Sequence, residues 1–309
     1  MGNQMVQATL TLLAASILIW SLLPLTPGDP AMRFLEAHGA GAPLPSEIKA
    51  LRHEWGLDKP LPIQYIQWVK RALHGDLSGS FQSGKPVAGE LAKRFPYTMM
   101  LAGTTVVISL FLSVIAALIA SSHEGKWPDH LITFLTQIGT TTPSFLLGLL
   151  LLYFVVLNYN IGQILSKGQF SHVWLPSLCL SVHLAAGWTQ ILRASLLEVL
   201  NKNFTLVAKA RGASPLRVLF RYALPNAFLP FLTAIGMGFG ALLGGAPIIE
   251  SIFSWPGMGS YAIEAIAARD MPVIQGFVMV STVLYVVMSF GVDTISNLLD
   301  VRHNTKDHQ

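Results

Sequence analysis

Six stretches of this chain are continuous apolar runs separated by polar connections. Residues 5–23, 98–120 and 131–157 carry no charged side chain, and 173–192 carry only His183. Residues 226–249 are uncharged up to Glu250, and 271–292 up to Asp293. A transmembrane helix needs about 20 mostly apolar residues. Six such runs predict an all-α polytopic membrane protein. The first run lacks a basic leader and a cleavage site, so it reads as a retained span. Within the third, Thr140-Thr141-Thr142-Pro143 predicts a kink: Pro143 frees a carbonyl one turn back, and the hydroxyls can satisfy it. A gating hinge is the functional alternative.

Two polar segments remain, 24–97 and 193–225. Pro24, Pro27, Gly28 and Pro30 end the first run, and a Gly/Pro cluster occupies 39–45. Ser46 is expected to cap a helix through Glu54. Ile63, Ile66, Trp68, Val69 and Leu73 mark an amphipathic helix over 63–73. This segment has too few apolar residues for a core of its own and is expected to pack on the membrane part. In the second segment a helix over 204–211 is broken at Gly212. Ser214 is placed as N-cap and Pro215 at the first position of a second helix over 216–224, with Pro225 before the fifth span. Arg217 and Arg221 share one face, leaving Leu216, Leu219 and Phe220 for another. Both an interfacial hairpin among lipid headgroups and a docking knob for a partner fit this pattern.

Charge sets the topology. With the N-terminus inside, segments 1–4, 121–130, 193–225 and 293–309 hold 0, 1, 6 and 2 Lys/Arg, nine together. The short outside loops 158–172 and 250–270 hold only Lys167 and Arg269. That asymmetry predicts both termini in the cytoplasm, and the long outside segment 24–97 is exempt from the rule by its length. Trp127, Trp174 and Trp255 fall at the expected interfaces. Composition agrees: 309 residues, 52% apolar, 12% charged, with a mean hydropathy of +0.53. These values exclude a disordered chain and an ordinary cytosolic enzyme. The lone Cys179 excludes an internal disulfide and a Cys-based metal site.

The cytoplasmic loop resembles the coupling motif of bacterial ABC importer permeases, Glu-Ala-Ala, three residues, Gly, nine residues, Ile, one residue, Leu-Pro. Gly212 takes the Gly position, Ala208 the third position, and Leu224-Pro225 the end. Leu206, Val207 and Tyr222 depart from the pattern, a departure typical of the peptide and nickel branch. Gly56-Leu57-Asp58-Lys59-Pro60-Leu61, Gln64-Tyr65, Trp68, Gly75-Asp76-Leu77 and Ser80-Phe81 are similar to that branch's extracytoplasmic segment. The stretch Ile252 to Gly259, with Arg269-Asp270 and residues 272–276, is similar to its final loop.

The chain is thus identified as resembling a permease of the nickel, opine-metallophore and di/oligopeptide importers. This implies six helices in the type I permease fold: a first span (1–23), an extracytoplasmic segment (24–97) and a core (98–309) containing coupling loop 193–225. The short outer segment, including residues 30–39, leans toward nickel or a metal–metallophore complex as cargo, with di/oligopeptides as the alternative. The resemblance further implies two ATP-binding subunits carrying ATP-Mg, a second and different permease, a solute-binding protein outside, and a bacterial cytoplasmic membrane location. No cofactor, metal or nucleic acid is expected on this chain, and it is a translocation subunit rather than an enzyme. Ala208, Gly212, Leu224 and Pro225 would shape the coupling element, and Arg211, Arg217 and Arg221 would dock the ATPase.

Other motifs are weaker. Residues 79–85 fit the first seven positions of a phosphate-binding loop, but Pro86 stands where Ser or Thr should bind magnesium. Gly236, Gly240 and Gly244, spaced by four, suit tight helix packing or, with Met237, a translocation path. His183 reads as a packed polar residue or as a metal or proton site. Glu250 and Asp293 fall at span ends, where charge is tolerated. Asn203-Phe204-Thr205 is a chance glycosylation match on the inner side. A secondary transporter would need intramembrane acidic residues or matched broken helices, and a membrane enzyme a nucleophile–base or metal motif. Neither is evident.

Overall fold

The computed structural model describes residues 2–25, 28–39, 42–159 and 168–299. Lys167, the tail with Arg302 and Lys306, and the Asp293 side chain lie outside the described residues. Among those described, secondary structure is helical apart from one isolated bridge between Gly79 and Pro86. The helices are α1 (Gly2–Leu25), α2 (Pro30–His38), α3 (Pro45–Trp55), α4 (Leu61–Leu73), α5 (Val87–Ser122), α6 (Trp127–Thr141) and α7 (Ser144–Leu151). They continue as α8 (Trp174–Leu200), α9 (Asn203–Ala210), α10 (Pro215–Arg217), α11 (Leu224–Ile252), α12 (Met258–Ala268) and α13 (Met271–Leu299). Among the described residues five helices are long and apolar enough to cross a membrane, and up to six spans result if α6 and the helix over 144–158 count as one.

That sixth span is not a kinked rod. Its halves meet at 100°. Thr142, before Pro143, is driven to extended φ/ψ of −79°/123°, as the residue before proline must be. Thr141 Oγ1 donates to Gln137 O at 2.9 Å and Thr142 Oγ1 to Ile138 O at 2.8 Å, the latter beside the Thr142 N–H, which reaches the same oxygen at 2.9 Å. The hydroxyls therefore bond back within α6, and among the described residues none reaches Gly139 O, the carbonyl that Pro143 deprives of its N–H donor.

The chain forms two compact units. The first contains residues 1–98 and 256–286. Its core joins Val87 and Leu91 of α5 to Met258 and Ala265 of α12 and Val273 of α13. A Cβ on Gly276 would stand 2.8 Å from Val87 Cγ1, so this helix contact requires glycine. α4 forms as its periodicity predicts, but of its apolar positions only Trp68 is buried, while Ile63 and Ile66 stay exposed. α3 starts one residue before Ser46. Pro45 takes the first position and Glu47 accepts the Leu44 N–H at 3.0 Å, which replaces the expected serine cap.

The second unit contains residues 99–255 and 287–309. α8 is its centre, with fourteen residues buried. Gly139 of α6 crosses it so closely that a Cβ would lie 2.8 Å from Ala186 Cβ. Against α11, Trp188 lies over Gly238, where a Cβ would meet the indole at 2.8 Å, and Trp188 Nε1 donates to Ala234 O at 3.1 Å. Thr105, Ser109 and Ser113 form a buried stripe of small polar residues on α5. Ser109 Oγ donates to Thr105 O at 2.7 Å within its own helix, the usual way a membrane helix keeps a hydroxyl satisfied.

Candidate functional site

The loop between α8 and α11 is built from its capping residues upward. Thr205 is buried, and its hydroxyl lies 3.1, 3.0 and 2.6 Å from the carbonyls of Val199, Leu200 and Lys202. The threonine of the chance glycosylation match therefore closes the end of α8. Ala208, 7% exposed, seats α9. Gly212 has φ of +85°, a conformation costly for any side chain, and Ala213 N–H returns to Ala208 O at 3.1 Å. Ser214 Oγ then accepts from Arg217 N–H at 3.4 Å, and Pro215 takes the first position of the next helix.

From Val218 to Ala223 the helix widens into a π turn in which Leu224 N–H reaches five residues back to Leu219 O. Pro225 offers no N–H, and its ring would crowd the carbonyl four residues earlier. The wider turn accommodates both facts, so the helix runs into the fifth span without a break at Pro225. Val218, Leu219 and Ala223 point inward. Leu219 is thus core, not part of the outer apolar face on which the sequence placed it. The outer face carries Leu216 at 65% exposure and Phe220 at 53%, with Arg211, Arg217 and Arg221 exposed beside them. None of these three arginines forms an ion pair among the described residues. The result is a short capped knob with an unpaired cationic and apolar surface.

The candidate packing or pathway residues, on α8 and α11, have unlike surroundings. Gly236 packs on Val292, where a Cβ would lie at 2.8 Å, while Gly244 has open space beside it. The α11 glycine that lies closest against α8 is Gly238, off the four-residue ridge. Met237 is 72% exposed, and Gly240 is partly buried. His183 is exposed on α8 and makes no hydrogen bond among the described residues. Glu250, expected at a tolerant span end, is fully buried, and Trp255, expected in an interfacial belt, is fully buried as well. Trp127 and Trp174 are exposed.

Two buried carboxylates were missed. In the second unit Asp129 accepts a bidentate pair from Arg193, Nε at 2.6 Å and a terminal nitrogen at 2.7 Å, plus the Gly125 N–H at 3.0 Å. In the first, Asp270 is held by residues 80–82. Ser80 Oγ donates to it at 2.5 Å, Phe81 N–H at 3.0 Å and Gln82 N–H at 3.3 Å. The glycine-bounded sequence that imitates a phosphate-binding loop therefore wraps an anion belonging to the protein itself. Nearby, Arg94 stands 4.6 Å from the Tyr261 ring centroid. Burial, with Asp270 and Glu90, pushes the Tyr261 hydroxyl above its ordinary pKa.

A polytopic helical chain with a capped cationic knob between two spans has the form of a transport permease. Comparison with known proteins specifies it. The family described as binding-protein-dependent transport system inner membrane component matches residues 90–304, and its N-terminal companion matches residues 2–102. The chain belongs to this family of ABC importer permeases, and is a multi-pass inner-membrane transport subunit with the type I permease fold.

It is 35% identical over 302 residues to a putative peptide permease of Brucella ovis, covering 94% of each chain. It is 34% identical over 287 residues to a glutathione transport system permease of Escherichia coli, covering 92% of each. A crystal structure of an amino acid ABC transporter with histidines matches the fold at a TM-score of 0.51 and 18% identity, over 69% of this chain and 94% of that one.

Proposed function

We propose that this chain is one permease of an ATP-driven importer of short peptides. Relatives at 34–35% identity over more than nine-tenths of the chain carry peptide and glutathione names. That supports peptides over the nickel or metallophore cargo toward which the outer segment leans. Two ATP-binding subunits, a second permease and a solute-binding protein complete the assembly, with both termini and the loop over 193–225 in the cytoplasm. The segment 24–97 and the loop over 250–270 face the binding protein.

Force enters at the knob around Gly212. The observation carrying this is the exposed face of Leu216, Phe220, Arg217 and Arg221, unpaired on an element whose other side is buried. Arg211, Arg217 and Arg221 dock an ATPase, while Ala208, Gly212, Leu224 and Pro225 fix the shape. Motion of the ATPases then reaches α8 and α11 through packed contacts.

Gly212→Val tests the coupling. At φ +85° a β-branched residue distorts the knob. An assembled complex with ATP hydrolysis no longer stimulated by the loaded binding protein is expected, and full stimulation removes the coupling role. The cargo is tested separately in vesicles carrying the whole transporter. ATP-dependent uptake of labelled dipeptide is expected, unaffected by nickel. Nickel uptake without dipeptide uptake overturns the peptide reading.

A further inference from the structure

Within the first unit a cavity of about 430 Å³ opens where α1 ends and α13 begins. That is a volume suited to a small organic ligand. Its wall is aromatic, with Trp20 from α1, Trp55 from α3, Trp68 from α4 and Phe81 from the following loop. Trp55 and Phe81 stack at 5.4 Å with only 8° between their planes, forming a flat platform.

Two opposite charges line the same cavity without meeting. Arg71 makes no hydrogen bond or ion pair through its side chain among the described residues, and neither does the Gln67 amide. Asp76 accepts the Ser78 N–H through Oδ1 at 2.9 Å and has no cationic partner among the described residues. Arg71 and Asp76 are held five residues apart, the Asp76 N–H donating to Arg71 O at 3.0 Å. Their side chains nevertheless do not form a salt bridge.

A guanidinium is suited to a carboxylate or phosphate, a free carboxylate oxygen to an ammonium, and indole faces to an apolar or cationic body. We propose that this cavity binds a small zwitterion, its anionic group on Arg71, its ammonium on Asp76 and its apolar part on the aromatic platform. A free dipeptide and a phosphatidylethanolamine headgroup are the two sources of that chemistry. The site rests on these residues and is independent of which cargo the transporter moves.

The test uses the full chain in nanodiscs of phosphatidylglycerol, which lacks an ammonium. Ala-Phe is titrated calorimetrically against its N-acetylated, C-amidated form. Binding of the free dipeptide only is expected, weakened roughly tenfold or more by Arg71→Ala and by Asp76→Asn. In a second arm, phosphatidylethanolamine retained on the detergent-purified chain is quantified by native mass spectrometry. Retention that falls in both variants identifies the headgroup as occupant.

Measurable binding of the capped dipeptide equal to that of the free one overturns the proposal, and that arm needs no variant. So does a result in which neither arm responds to Arg71→Ala or Asp76→Asn. Vesicle uptake of dipeptide is read independently, so loss of this site and loss of the peptide cargo are told apart.

Discussion

Asp129 and Asp270 are both buried carboxylates, and the two units neutralise them by different means. Asp129 is 3% exposed at its side chain and faces a full positive charge, the guanidinium of Arg193 in two-point contact. Asp270 is 3% exposed and is held by backbone N–H groups and a hydroxyl of residues 80–82, with no salt bridge among the described residues. The first arrangement ties together α6 and α8 by charge. The second folds a loop around an anion using oriented dipoles, the principle of an anion nest. A charge pair concentrates its stabilisation in one partner, whereas a nest spreads it over several donors. Single substitutions should therefore hurt the two sites unequally.

Arg193→Ala is expected to be the most damaging change. It strands a buried carboxylate with only the Gly125 N–H, at a cost of about 3–5 kcal/mol, read as a large fall in the unfolding temperature of the detergent-solubilised chain. A loss no greater than that of a surface substitution would show that Asp129 is reached by water. Asp270→Asn should cost about 2 kcal/mol, because one amide oxygen remains while the new NH₂ opposes N–H donors. Faster proteolysis at residues 79–85 would localise the effect, and an unchanged cleavage rate would deny the nest its anchoring role.

Arg193→Lys keeps the charge but loses the fork, for about 1–2 kcal/mol. Stability equal to wild type would mean that the two-point geometry contributes nothing. Ser80→Ala is the mildest, about 1 kcal/mol, since Phe81 and Gln82 continue to hold Asp270. If it matched Asp270→Asn in the same unfolding assay, the hydroxyl and not the backbone would be the essential donor.

The sequence made these elements legible to different degrees for physical reasons. The spans follow from local apolar density, and the knob from residues whose meaning is local: a glycine at positive φ, a serine cap and a proline at a helix start. The Asp270 nest joins positions 190 residues apart, and no period or spacing encodes such a pair. The loop's own spacing even suggested phosphate. Trp188 against Gly238 was hidden because helix rotation decides which glycine of a rich helix meets a neighbour. The regular ridge of Gly236, Gly240 and Gly244 drew attention away from it. The break at Pro143 was anticipated as a kink, because proline chemistry announces the lost bond but the tertiary surroundings set the angle. Glu250 and Trp255 were misplaced for a related reason: the end of a span in sequence need not be at the edge of the packed structure.

The widened turn before Pro225 has a mechanical consequence. Because it lets the helix pass through the proline, the part of the knob after Ser214 and the fifth span form one helical stretch, Pro215–Ile252, of 38 residues. At 1.5 Å per residue its contour is about 57 Å. It can act as a lever arm: pivoting it by about 5° at one end sweeps the other through about 5 Å, nearly one helical turn of pitch. A fracture at Pro225 would have shortened the arm and placed a hinge at its end.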